Sequence, residues 1–355
     1  MTTDPDLQQA LAGDAEAFRR LTEPYRRELQ LHCYRITGSV ADAEDLVQET
    51  LLAAWLGLAG FEGRSSVRGW LYRIATNRSL NALRATSRRP RSAAAVSTAS
   101  TLPEPTRFGE PVWLQPYPDH LLDDLLDALP DRQPGPEARY ELRESVSLAF
   151  VTALQHLTPP QRAAVALCDA LGFSVAEAAG ILGSGATAVK GMLQRGRAVL
   201  REHRAEPGHR PAAAAGSARE RELAGLFARA LEAGDTDAVV ALLAEDSWLT
   251  MPPEPQQYHG RESVRVFLAD REQARGVPLR AIPVRANGQH ALGCYLPTPP
   301  AAIARPYGLV VLTTDRDAIT AITWFRDTSV YPAFGLPHSL PDDRPGKRVH
   351  DTTAS

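Results

Sequence analysis

Cysteine is scarce in this 355-residue chain. Cys33, Cys168 and Cys294 lie far apart and form no CxxC pair. That spacing argues against a disulfide framework and against a cysteine zinc site. We expect a reduced, cytoplasmic protein with no metal and no cofactor. Long apolar runs are lacking too: none approaches the roughly 18–20 residues that span a bilayer, so no membrane insertion is expected. The stretch from Met1 to Asp14 is polar and acidic, unlike a secretory signal. A surplus of positive charge is missing, because the formal net charge is −3. A uniformly basic nucleic-acid coat is thereby excluded, whereas a local one is not. Lysine is nearly absent, with Lys190 and Lys347 the two examples. No internal repeat is visible.

What is present is segregated charge. Five acids and no Lys or Arg occupy 38–63; eight arginines and no acid occupy 64–91. Seven acids against two arginines follow in 92–136, and five basic residues against one acid in 184–204. Blocks of this kind predict several charged surfaces facing different partners. The length predicts two or three domains, each able to bury its own core. Residues 6–90 read as helical. Residues 91–136, with eight prolines, read as an extended acidic linker. Helical periodicity returns over 137–204, a second linker covers 205–217, and 337–355 reads as a disordered tail. Between them, 218–336 opens with an amphipathic helix. Apparent strands follow at 247–251, 279–285, 291–296, 308–314 and 318–325. The fold class is therefore multidomain: two all-α units followed by an α+β unit.

In the first helical block Asp42, Asp45 and Glu49 recur at i, i+3 and i+7, with Gln48 beside them. They form one acidic stripe, while Ala43, Leu46, Thr50 and Ala54 face inward. Acids also suit a helix N-terminus, but a full stripe is more than that requires, and a basic helical partner fits it. Downstream, Arg73, Asn77, Asn81, Arg84 and Arg88 step along one face, with Trp70 at its N-terminal edge. Arginine neutralises phosphate, asparagine reads base edges, and Trp offers a stacking surface. Before this helix, Phe61 to Ser66 reads as a turn, and Arg64 and Ser65 belong to the same basic patch.

The second block holds two capping boxes, Thr158 to Gln161 and Ser174 to Glu177. A short helix, the glycine turn at Gly183 and a longer basic helix from about Ala186 match a helix-turn-helix. Its recognition helix presents Thr187, Lys190, Gln194 and Arg195 to a major groove.

Together the two blocks resemble an extracytoplasmic-function RNA polymerase sigma factor. Asp42-Ala43-Glu44-Asp45-Leu46-Val47-Gln48-Glu49-Thr50, then Trp55 and Gly69-Trp70-Leu71-Tyr72-Arg73-Ile74-Ala75-Thr76-Asn77, look like sigma region 2. Leu157-Thr158-Pro159-Pro160-Gln161-Arg162 and Ala188 to Arg197 look like region 4. The resemblance implies that Asp42, Asp45, Gln48 and Glu49 contact core polymerase. It implies that Arg64, Ser65, Trp70, Arg73, Asn77, Asn81, Arg84 and Arg88 serve the −10 element. It assigns Thr187, Lys190, Gln194 and Arg195 to the −35 element. The implied partners are core RNA polymerase and promoter DNA, with an anti-sigma factor or small ligand in addition. The linker of such proteins threads the polymerase RNA path, a setting that Asp119, Asp123, Asp124 and Asp127 would suit. Gly185, Gly191 and Met192 depart from the residues the family often carries there.

The last segment resembles a SnoaL-like domain, a cone-shaped α+β fold, through Glu232 to Asp235, Leu242 to Asp246, Met251-Pro252-Pro253 and Tyr258 to Arg261. The linker stretch Trp113 to Asp119 also resembles the subgroup with such a fused domain. A pocket in that fold would be walled by Trp248, Met251, Tyr258, Phe267, Tyr295 and Trp324. Asp246, Glu254, His259 and Asp327 are the available acid–base groups, in no evident dyad. The expectation is therefore a sigma factor, not an enzyme, whose activity the C-terminal domain modulates. The alternative is a SnoaL-like isomerase, cyclase or hydrolase of a small hydrophobic substrate with a DNA-binding appendage.

Overall fold

The computed structural model describes residues 4–63, 65–87, 102–127, 142–205, 217–298 and 303–341. Arg64, Arg88, much of the first linker and the tail beyond 341 lie outside the described residues. The first block is a helical bundle: α1 (Pro5–Leu11), α2 (Ala15–Thr22), α3 (Arg26–Thr37), α4 (Val40–Gly57) and α5 (Val67–Ser87). Ser39 caps α4 by accepting from the Asp42 amide. Gly38 ends α3 at φ 73°, and a Cβ there would lie 2.9 Å from the Trp113 carbonyl oxygen. Glycine is thus what lets the linker backbone approach α3 so closely.

The linker is not extended throughout. Arg107–Phe108 is a short strand, β1; Trp113 to Asp119 is largely buried, and α6 follows (Asp119–Asp127). The second block contains α7 (Leu148–Gln155), α8 (Pro159–Val165), α9 (Val175–Leu182) and α10 (Ala186–Ala205). Both expected capping boxes are formed.

The last unit has α11 (Ala218–Ala233), α12 (Thr236–Ala241) and α13 (Arg261–Arg275) against a sheet. Its strands are β2 (Leu243–Met251), β3 (Glu254–His259), β4 (Arg280–Ala286), β5 (Gln289–Pro297), β6 (Ile303–Asp315), β7 (Ala318–Phe325) and β8 (Leu340–Pro341). The order is β1-β3-β2-β7-β6-β5-β4, with β8 also on β6. β2 and β7 run parallel, and the other pairs are antiparallel.

Strand alternation divides the sheet's side chains between two cores. Leu249, Met251, Leu292, Val310, Leu312, Ile322 and Trp324 pack toward α11–α13. Ala291, Tyr295, Leu309, Val311 and Phe325 share a core with Tyr331, Phe334 and the sigma-like helical blocks. The three units are therefore packed as neighbours, through one face of the sheet.

Candidate polymerase and promoter interface and its junction with the C-terminal domain

On α4, Asp45, Gln48 and Glu49 are exposed and Asp42 is half-buried, while Ala43, Leu46, Val47, Thr50 and Ala54 are buried. The acidic stripe is thus a real face, with Glu49 bonded to Arg78 at 2.7 Å. The stripe does not stop at Glu49. Leu52 and Leu56 continue it at 60 % and 75 % exposure, and sequence reasoning missed them. Their signal was available, because 45, 49, 52 and 56 follow helical spacing.

On α5, Arg73, Asn77, Asn81 and Arg84 are exposed on one face, and Arg84 donates to Asn81 at 3.1 Å. Ser65 is exposed as well. Trp70 is half-buried with its ring 5.0 Å from that of Phe61, so it flanks the stripe rather than joining the open surface. Arg68 is structural: it bonds Glu28 at 2.9 Å and lies over the rings of Tyr72 and of Phe173 in the second block. On α10, Thr187, Lys190, Gln194 and Arg195 are all exposed. Val189, Leu193 and Gly196 face inward, and a Cβ on Gly196 would come within 2.8 Å of Val165. Arg197 is instead anchored to Asp169 through two contacts.

Two arginines join the helical blocks from inside. Arg35, fully buried, donates to the Ser145 carbonyl at 3.1 Å and contacts its hydroxyl. Burial lowers its pKa to about 10. Arg162 donates to the Ile36 carbonyl and the Gln155 side chain, each at 2.6 Å.

The buried linker ties these blocks to the sheet. Gln115 Oε1 accepts from Ser39 Oγ and the Val40 amide at the start of α4, and its Nε2 donates to Asp327 at 2.8 Å. Asn287 has φ 55° in the β4–β5 turn and is 1 % exposed. Its Oδ1 accepts from the Tyr117 amide at 2.8 Å, and its Nδ2 donates to the Tyr34 hydroxyl at 3.1 Å and the Val146 carbonyl at 2.7 Å. One side chain thus touches first block, linker and second block. Asp119 accepts from Gly288 N–H at 2.8 Å and Arg285 at 3.0 Å. Burial raises its carboxyl pKa, against the lowering effect of those two donors.

The expectation that the linker acids suit a basic channel is corrected for Asp119, which is buried, whereas Asp123 and Asp124 stay more than half exposed. Asp119 is taken by Arg285, Asp123 faces Arg143 at 3.7 Å, and Asp124 bonds Arg27 at 3.1 Å. The side chain of Asp127 lies outside the described residues. The expected pocket wall is also corrected. Met251, Tyr258, Phe267 and Trp324 share the helix-side core. Tyr295 points to the opposite face, against Tyr331, and Trp248 stacks on His259 away from that core. Alternation along β2 and β5 is the cause. Of the acid–base candidates, Asp246 is exposed, Glu254 pairs with Arg326, His259 stacks on Trp248, and Asp327 caps the turn at Thr328–Phe334.

Residues 21–89 match Sigma-70 region 2, and residues 147–200 match Sigma-70 region 4. The chain is 41 % identical over 330 residues to the ECF RNA polymerase sigma factor SigG of Mycobacterium tuberculosis, covering 91 % of this chain and 85 % of the relative. It belongs to the extracytoplasmic-function RNA polymerase sigma factor family. The sigma factor SigJ of the same organism is 29 % identical over 289 residues, covering 77 % of this chain and 79 % of the relative. The crystal structure of SigJ superposes with a TM-score of 0.53 at 24 % identity, over 90 % of this chain and 99 % of that one. An extracytoplasmic-function sigma factor binds core RNA polymerase and directs initiation at promoters. This one carries two helical sigma units and a C-terminal domain of helices packed against a sheet. No helix among the described residues is long and apolar enough to cross a membrane.

Proposed function

We propose that the C-terminal domain of this sigma factor restrains initiation by holding regions 2 and 4 together around the linker. The observation that carries the reading is Asn287, whose side chain bonds all three parts at once. The polymerase-engaged state needs the linker drawn out between two separately docked modules. Here the stretch 114–119 of that linker is buried, and Asp119 is paired with Arg285. On this reading region 2 spans 6–90, region 4 spans 137–204 and the restraining domain 218–336.

Asp42, Asp45, Gln48 and Glu49 form the polar part of the polymerase footprint, with Leu52 and Leu56 as its apolar end. Ser65, Arg73, Asn77, Asn81 and Arg84, flanked by Trp70, take the −10 element. Thr187, Lys190, Gln194 and Arg195 take the −35 element. The domain acts on the sigma modules rather than by catalysis. Its carboxylates and His259 are engaged structurally or exposed, not gathered in its core.

The test is promoter-specific transcription by purified core polymerase with the full chain and its Asn287→Ala and Gln115→Ala variants. Each substitution leaves buried partners unpaired, at roughly 1–3 kcal/mol per group. We expect both variants to bind core more tightly and to give several-fold more transcript. Unchanged or lower output from variants that still bind core would sink the restraint reading. Charge reversal at Asp45 and Glu49, both exposed, should abolish core binding while leaving the fold intact, as read by circular dichroism.

A further inference from the structure

The linker meets the C-terminal sheet at both of its edges. At one, Arg107 and Phe108 form β1 and pair antiparallel with Gln257 and Gln256 of β3. At the other, Pro118 bridges Ala286 of β4. β1 and β4 are the two ends of the strand order, six inter-strand steps apart. Steps of about 4.8 Å bring that width to about 29 Å. The ten residue steps from Phe108 to Pro118 reach about 33–36 Å when fully extended. No helix shortens this stretch. Laid along the sheet, it therefore has little slack. Between its ends, Leu114 and Tyr117 enter the core that the sheet's sigma-side face shares. The linker is a strap across that face, fastened at both edges.

The two fastenings differ in depth. At the Pro118 end, residues 114–119 are buried, and Asn287, Arg285 and Gly288 hold the chain. At the β1 end the bonds run mostly through backbone. The Thr106 amide donates to the Gln257 carbonyl at 3.1 Å, and the Gly109 amide to the Pro255 carbonyl at 2.8 Å. The Thr106 hydroxyl donates to the same Gln257 carbonyl and accepts from the His259 amide at 2.8 Å. Tyr258 donates to the Pro103 carbonyl at 2.8 Å, and Leu102 packs, partly buried, on the helix-side core. Thr106, Arg107 and Phe108 stay exposed, Phe108 at 67 %. Such bonds exchange for water at small net cost, and Leu102 is the main apolar group uncovered if the strand leaves. Extended peptides grip open sheet edges in this way, by backbone more than by side chain.

We propose that the β3 edge is a peptide-docking site whose ligand is residues 102–109 of the chain's own linker, and that this strand leaves before the linker enters polymerase. The site deepens the restraint reading and rests on it for its regulatory sense. With both edges fastened the strap cannot be drawn out. β1 is the end that opens without breaking a buried joint.

The test is a Phe108→Cys, Gln256→Cys double variant in promoter-specific transcription with core polymerase. Opposed Cα atoms of an antiparallel pair lie about 4.5–5.5 Å apart, within disulfide reach. Oxidation should abolish transcription by fastening β1 to β3, and reduction should restore it, while each single variant ignores the oxidant. Thr106→Pro, which removes the amide donor and the hydroxyl, should raise output several-fold. By hydrogen exchange, the His259 amide should be protected in the free chain and lose that protection once core is bound. Undiminished transcription from the oxidised double variant, or a His259 amide that stays protected in the holoenzyme, would overturn the proposal. So would unchanged or lower output from a Thr106→Pro chain that still binds core. Where the bridge does not form, exchange and the proline variant decide the matter. The Asn287 and Gln115 variants read the buried junction separately. Should they leave output unchanged while the bridge silences it, the junction loses its role and the β3 site keeps its own.

Discussion

At the scale of single residues, His32 couples the fold to pH. It is fully buried on α3, with Nε2 2.8 Å from the Thr76 hydroxyl. Burial, aided by Arg35 and Arg68, lowers its pKa to about 3. The folded chain thus holds a neutral imidazole, while the unfolded chain takes up a proton below about pH 6.5. The contribution of His32 is complete above that value and is lost as pH falls toward the folded pKa. At about pH 5 the loss is roughly 2 kcal/mol. Denaturant midpoints at about pH 7 and pH 5 should show it, and His32→Gln should flatten the dependence whatever it does to absolute stability. Little of this was legible beforehand, since a lone histidine in a helix does not announce its depth. Arg35 and Arg162 were equally silent: arginine reads as surface until a structure shows the carbonyls that surround it. The exposed stripes were the opposite case. Asp45, Glu49, Arg73 and Asn77 declare a face through spacing alone, because the buried residues between them are mostly apolar.

At the scale of elements, two glycines of α10 make opposite predictions. Gly191 faces the far end of the flexible Arg195 side chain, 3.4 Å from where a Cβ would sit. Gly191→Ala should stabilise by roughly 0.5–1 kcal/mol through helix propensity. Gly196 packs on Val165 and Leu157. Gly196→Ala should cost about 1–3 kcal/mol through overpacking, despite the same propensity gain. Thermal melts of the two variants should move in opposite directions. The helices and most strands were readable from period and caps, and Ala318–Phe325 was met to the residue. β1 was not readable: Arg107-Phe108 has no alternation, and its pairing with Gln256 and Gln257 is set by tertiary contact. The assignment of Trp248 and Tyr295 to the pocket wall failed for a related reason. Aromatic identity says nothing about which face of a strand a residue takes. Register does, and one core position on β2 or β5 is needed to fix it.

At the scale of the molecule, one hydrophobic core joins residues of both sigma modules, the linker and a face of the C-terminal sheet. Removing residues 217 onward should therefore do more than delete a domain. It strips cover from Tyr34, Tyr117 and Leu114, which are almost fully buried in the intact chain. The shortened protein should melt roughly 5–10 °C below the full chain. An unchanged midpoint by calorimetry would mean the sheet lends the sigma modules no stability. The sequence showed that three units existed, through its charge blocks and prolines, but not that they shared a core. Polar residues such as Gln115 and Asn287 make the joints, and no periodicity marks them.

Asn287 is followed by Gly288, the dipeptide most prone to lose its amide spontaneously. That reaction requires the glycine nitrogen to attack the asparagine side-chain carbonyl. In the closed arrangement the attacker is held by Asp119 and the target by Tyr117, Tyr34 and Val146. On the restraint reading, this chemistry is suppressed in the bonded arrangement and resumes on release of the junction. Deamidation at Asn287, followed by mass spectrometry, should run as a slow clock of the time each molecule has spent released. The damage is also one-way. The succinimide opens to isoaspartate or aspartate, neither of which has the amide that donates to Tyr34 and Val146, so on the restraint reading a molecule released long enough should not fully close again.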